Sequence, residues 1–197
     1  MNYLQKFFGH LKTILIHKYW VMFYSYYAGI LWQGITHDLS KFSPIEFFTG
    51  IKYYTGYKSP NDIDRIKNGY SAAWLHHKGR NKHHYQYWTD NFDNGGEPIQ
   101  MPFKYAVEMV CDFLAASRTY LGEAYSPQLV YKWWRERVEK RTILMHPQTI
   151  IFIDLVMFRF KDCRMGNEVV VIDRDNLEEI YNKATELYEN LKELWEC

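Results

Sequence analysis

The chain has 197 residues, enough for one domain with a sizeable buried core. Its 24 Lys and Arg nearly cancel 23 Asp and Glu, so the basic excess of a dedicated nucleic-acid binder is missing and no stable nucleic-acid complex is expected. Three scattered cysteines, Cys111, Cys163 and Cys197, exclude a disulfide framework or a zinc ribbon and fit a reducing, cytoplasmic setting.

In chain order, residues 3–28 carry apolar positions at helical spacing (Leu4, Phe7, Phe8, Leu11, Ile14, Leu15, Tyr19), and Gly29 offers a stop, which predicts one long helix. Lys6 and Lys12 are not followed by an apolar core and a small-residue cleavage site, so no secretory leader is expected. Residues 19–36 carry no charge over 18 positions, but four Tyr, Ser25, Gln33 and two Gly make a membrane span a poor reading.

A second segment, 30–39, leads into Ser40-Lys41-Phe42-Ser43-Pro44, where Ser43 can cap and Pro44 can open a helix running to Tyr54. Residues 55–69 are rich in Gly, Pro, Asn and Asp and predict a loop, a candidate lid. Residues 70–77 predict a helix stopped by Lys78-Gly79, and Asn81 can cap a further helix over 82–88. After a polar loop over 90–102, Pro102 opens a helix through Tyr120 that carries Glu108 and Asp112 on one face. Helices are then expected over 127–141, 147–161 and 174–195, with a short β-prone run at 168–172.

Six of the eight histidines fall in short motifs within the first 84 residues: His17, the dipeptide His37-Asp38, and His76-His77 followed by His83-His84. Imidazole and carboxylate together suit Mn, Fe, Ni, Co or Zn, and a carboxylate can bridge two such ions, a part for which Asp38 is placed. Arg80, Asn81 and Lys82 lie between the two His pairs and are candidates to bind substrate anions, although Asn81 reads equally well as a helix cap. Asp112 has a competing reading as a solvated helix carboxylate, because Glu108 stands one turn earlier and could be the ligand instead.

Taken in order, His17, His37-Asp38, His77, His83 or His84, and Asp112 resemble the HD superfamily of metal-dependent phosphohydrolases, over about residues 10–120. The chain is also similar to an uncharacterised bacterial and phage family with HDLSKF, HHxxxNKHH and EMxCD motifs. The resemblance implies an all-α, HD-type helical bundle over residues 1–124, with a mostly helical extension over 125–197 packed on it. It further implies two divalent transition-metal ions. One would be held by His17, His37, Asp38 and Asp112, the other by Asp38, His77 and His83 or His84.

Glu108 and His76 would support these ligands from behind. Lys41, three residues after Asp38, matches the lysine that faces phosphate in the HDIGK form of the motif, and a solvated lysine is the competing reading. The implied activity is hydrolysis of a phosphomonoester or phosphodiester, with a nucleotide or similar small phosphorylated compound as substrate. A mixed-valent di-iron oxygenase and a non-catalytic, metal-stapled binding module are the alternatives. The final helix carries Leu177, Ile180, Ala184, Leu187, Leu191 and Leu194 at heptad-like spacing, a stripe suited to packing on its own domain or to a homodimer.

Overall fold

A computed structural model of the chain describes residues 1–90, 93, 95–140, 143–164 and 167–196. The protein is all-α, and among the described residues there is no strand, only an isolated antiparallel bridge between Thr89 and Pro98. Helix α1 (Tyr3–Tyr27) begins at a capping box, in which the Asn2 side chain accepts from the Gln5 N–H and the Gln5 side chain accepts from the Asn2 N–H, both at 2.9 Å. It ends before Gly29, whose φ of +68° turns the chain back into α2 (Leu31–Thr36).

A 3-10 turn (Leu39–Phe42) precedes α3 (Pro44–Tyr53), with Pro44 in its first turn as expected; Ser43 stands before it but makes no side-chain cap bond. Glycines let both helices approach α1. A Cβ at Gly34 would lie 2.7 Å from the Ser25 Cβ, and one at Gly50 would run into the His10 imidazole.

Residues 55–69 correct the sequence reading, because they contain α4 (Pro60–Asn68). Pro60 occupies the first helical turn, where its missing N–H costs nothing, and Gly69 (φ +80°) closes the helix. The polar composition comes from a helix that is mostly solvated, whose one buried residue is Asp64, hydrogen-bonded by Asn68 at 2.7 Å. Helix α5 (Ala72–Lys78) is capped by Ser71. The helix expected over 82–88 is a turn followed by a 3-10 segment (Tyr85–Trp88), and Asn81 does not cap it: its amide donates instead to the Ser40 Oγ and the His77 carbonyl, both at 2.8 Å.

Helix α6 (Phe103–Leu121) is the central element, flanked by α1 and followed by α7 (Pro127–Glu139) and α8 (Pro147–Phe160). The β-prone run is a single helical turn, α9 (Glu168–Val171), fixed by the buried Glu168, which accepts from Arg118 at 2.8 Å. Helix α10 (Arg174–Glu196) packs on α8.

Val21 of α1, Val110 of α6, Trp134 of α7, Phe152 of α8 and Ile180 of α10 belong to one continuous core, so the segment after residue 124 shares the interior of the rest. Leu177, Ile180 and Ala184 are buried in it, while Leu187, Leu191 and Leu194 emerge progressively to 37%, 43% and 73% exposure.

Candidate metal centre

Five elements deliver chemistry-bearing side chains to one spot. His17 comes from the middle of α1; His37 and Asp38 come from the link after α2; His77 comes from the last turn of α5; His83 and His84 follow it; Glu108 and Asp112 share a face of α6. Asp38 has φ 55° and ψ 26°, and no other non-glycine residue among the described ones has a positive φ. Such a conformation costs free energy and persists where the surroundings enforce it; Asp and Asn accept it most readily of the side-chain-bearing residues. Lys18 contributes to that enforcement, its ammonium donating to the carbonyls of Ile35 (2.6 Å) and His37 (3.1 Å).

Two donor groups, each with ligand atoms within 4.8 Å of one another, share Asp38: His17, His37, Asp38 and Asp112 in one, Asp38, His77, His83 and His84 in the other; a third set of the same kind joins His37, His83 and Glu108. The Asp38 Oδ2 lies 3.2 Å from the His37 Nε2 and 3.8 Å from the His17 Nε2. On the other side, its Oδ1 lies 3.3 Å from the His77 Nε2 and 3.4 Å from the His83 Nε2. Asp112 completes the first group with its Oδ1, 3.1 Å from the His17 Nε2 and 3.5 Å from the His37 Nε2. Ring nitrogens of five imidazoles and a carboxylate oxygen of Asp112 thus converge around one aspartate.

The imidazoles are aimed from behind. Glu108 Oε1 lies 2.9 Å from the His37 Nδ1 and 3.0 Å from the His83 Nδ1, so one carboxylate orients two rings. Glu46, near the start of α3, does the same for another pair: Oε2 is 2.7 Å from the His77 Nδ1 and Oε1 is 2.6 Å from the His76 Nδ1. His76 itself lies outside both donor groups. Glu46 escaped the sequence reading because an acid in the first turn of a helix is ordinary dipole complementation and carries no further signal.

The donor set fits a cation on an observation independent of motif. Asp38 Oδ1, His83 Nε2 and His84 Nε2 are buried and make no hydrogen bond, and all three belong to the second group. An unsatisfied buried polar atom costs about 1–3 kcal/mol, and a cation at this spot would satisfy all three at once.

Protonation favours lone pairs at His17 and His84 but not at His37, where burial is outweighed by Asp38, Asp112 and Glu108, which raise it well above the imidazole range, so an ion there would have to displace a proton. Burial and the neighbouring Lys41 lower His17 to about 4, and burial with His83 and His77 lowers His84 well below the imidazole range, leaving lone pairs available. Burial would raise the Asp38 and Asp112 carboxyls, but His37 and Lys41 hold Asp38, and His17 and His37 hold Asp112, well below the usual range.

Lys41 lies within the site, its Nζ 2.6 Å from the Asp38 Oδ2 and its side chain 29% exposed. A cavity of about 350 Å³ opens on the centre, lined by Asp38, Lys41, His77, His84 and Asp112 among others. Arg80 and Lys82 are exposed and line neither this cavity nor its larger neighbour; Lys82 sits over the rings of Tyr87 and Tyr105. The candidate substrate contacts between the His pairs therefore separate from the ligands, because the chain turns at Asn81 to bring His83 inward and leaves its neighbours facing out.

The fold and site define an all-helical protein with a buried His, Asp and Glu cluster able to hold a metal ion. A model of DUF5662, a family of unknown function, matches residues 6–157, and the chain belongs to that family. No curated protein and no solved structure matches the chain. Among the described residues no helix is long and apolar enough to cross a membrane.

Proposed function

We propose that the protein is a metal-dependent phosphohydrolase of HD type, acting on a nucleotide or similar small phosphorylated substrate with two divalent transition-metal ions. The observation that carries this reading is the division of Asp38, whose Oδ2 faces His17, His37 and Asp112 while its Oδ1 faces His77 and His83. A shared carboxylate with separate imidazole sets on its two oxygens is the donor arrangement that two-metal hydrolysis uses.

A pair of such ions would supply Lewis acidity to activate water and to neutralise phosphoryl oxygens. The chain's own residues do the rest. Glu108 and Glu46 fix ring orientation, so the Nε2 atoms stay directed inward without reorganisation. Lys41, in the cavity wall, is placed to pair with a phosphate oxygen once its bond to Asp38 is exchanged. The two groups together bring five imidazoles and two acids to one spot, more donors than a single closed four-ligand structural site needs, which argues against a purely stapling role.

Metal analysis of the purified protein, joined to a phosphatase and phosphodiesterase screen, tests the reading. About two Mn, Fe, Ni, Co or Zn ions per chain with phosphate release support it. Two irons with oxygen-dependent turnover and no phosphate release would transfer the site to oxidative chemistry, and full activity in the double variant H37A/D38A would refute the centre.

A further inference from the structure

Beside the cavity at the metal centre lies a larger cleft of about 780 Å³, within the size range of small-molecule sites. The two are joined: Trp74, His84, Asp112, Tyr120 and Trp133 line both. A compound with its phosphoryl group at the donor cluster would find this cleft adjoining for its remaining atoms. Trp133 arrives from α7, in the segment beyond the expected HD-like core, and is 40% exposed at the cleft surface. Its ring is held by the edge of Phe113 at 5.1 Å and by the Arg137 guanidinium 5.0 Å over one face.

The chemistry of the cleft selects against charge. Its cations, Arg65, Lys132 and Arg137, are matched in number by the acids Asp62, Glu136 and Asp112, and Arg65 is already bound to Asp62 at 2.7 Å. The rest of the wall is largely aliphatic or aromatic, with Met109, Phe113, Leu121, Leu129 and Ile143 beside the tryptophans. A further phosphate or carboxylate finds no surplus positive field here, whereas a flat neutral body finds apolar surface and an anchored indole.

We propose that this cleft is the subsite for the alcohol portion of the substrate, that this portion is a neutral, flat and largely apolar group packed against Trp133, and that α7 thereby sets specificity. The inference rests on the phosphohydrolase reading. In the reaction, water gains a bond to phosphorus, the ester P–O bond breaks, and the departing alcohol oxygen takes a proton from that water.

The test uses the full chain loaded with metal and two primary alkyl esters of similar leaving ability, naphthylmethyl phosphate and glycerol 1-phosphate. The proposal expects naphthylmethyl phosphate to have the higher kcat/KM. It also expects Trp133→Ala to lower that value roughly 10–100-fold more than the value for glycerol phosphate, the scale of one lost aromatic stack, mainly through KM. Trp133→Phe should restore most of the preference, with metal content unchanged in both variants. Equal losses on the two esters, or a preference for glycerol phosphate, would overturn the subsite. If the metal-loaded protein hydrolyses neither ester nor any compound of the phosphatase and phosphodiesterase screen, the phosphohydrolase reading fails on its own. The cleft is then judged by fluorescence titration with naphthylmethyl phosphate, where binding lost in Trp133→Ala supports it and no binding to the unmodified protein overturns it.

Discussion

Asp38 joins three demands in one residue: a carboxylate whose two oxygens face separate imidazole sets, a left-handed backbone, and burial. Asp38→Asn keeps the shape and the tolerance of positive φ but removes the charge, so it should fold with little loss of helical signal while metal uptake, followed by elemental analysis, collapses. The two orienting acids separate by what they hold. Glu108→Gln should weaken metal affinity about 10–100-fold, because two rings lose their fixed tautomer, whereas Glu46→Gln disturbs the His77 side alone. Competition titration against a chelator measures the difference, and equal effects would contradict the assignment of the two groups.

His10 gives a pH signature away from the ligands. It is buried among Phe47, Tyr54 and Gly50 and is lowered to about 4, first by burial and then by Lys41. The unfolded chain takes up a proton near the ordinary value of 6.5 while the folded state resists until about 4, so stability is complete above 6.5 and falls as pH drops through that window. The metal-free His10→Gln variant should show a flatter decline than the metal-free parent in urea denaturation between those limits.

At the scale of elements, the centre depends on how closely α2 and α3 approach α1. Gly34→Ala would drive a Cβ to 2.7 Å from Ser25 and 3.1 Å from the Met22 Cα, the latter a backbone atom that cannot rotate away. Overpacking of this kind costs about 1–3 kcal/mol, and each kcal/mol lowers Tm by roughly 2–4 °C in a chain of this size. Because His37 caps the end of α2, the displacement should weaken metal retention together with Tm, whereas a surface change in α10 should alter neither. Helix α4 belongs to the same scale. Its sequence is so polar that its local pattern reads as a loop, and its helicity comes from Pro60, Gly69 and packing against α3, of which only the two punctuating residues are visible locally.

For the molecule as a whole, the shared core predicts one cooperative unit. Trp134→Ala removes a fully buried ring and its bond to Asp154, and should destabilise by about 3–5 kcal/mol while unfolding stays a single transition by circular dichroism and fluorescence. Two separate transitions would place the segment beyond residue 124 in a unit of its own. Linkage gives a second whole-molecule test. A transition metal at 100 times its dissociation constant adds about 2.7 kcal/mol, so Tm should rise with Mn, Co, Ni or Zn and much less with Ca, which favours oxygen ligands.

The all-helical class, the bounds of α1, α6 and α8, and the residue types of the candidate cluster were legible from the chain itself, because apolar spacing, Pro and Gly punctuation and His-Asp motifs are local properties. The sequence also gave both His83 and His84 as candidates for the second group, but not that both belong to it. Tertiary structure alone decided that Glu46 backs two histidines, that Arg80 and Lys82 turn away, that 168–172 is helical around a buried Glu168–Arg118 pair, and that Trp133 reaches the metal-side cavity. Each of these is a contact between residues at least 30 positions apart or a choice of side-chain direction at a turn. Short-range pattern carries no information on either, because what fixes them is the packing of one helix on another.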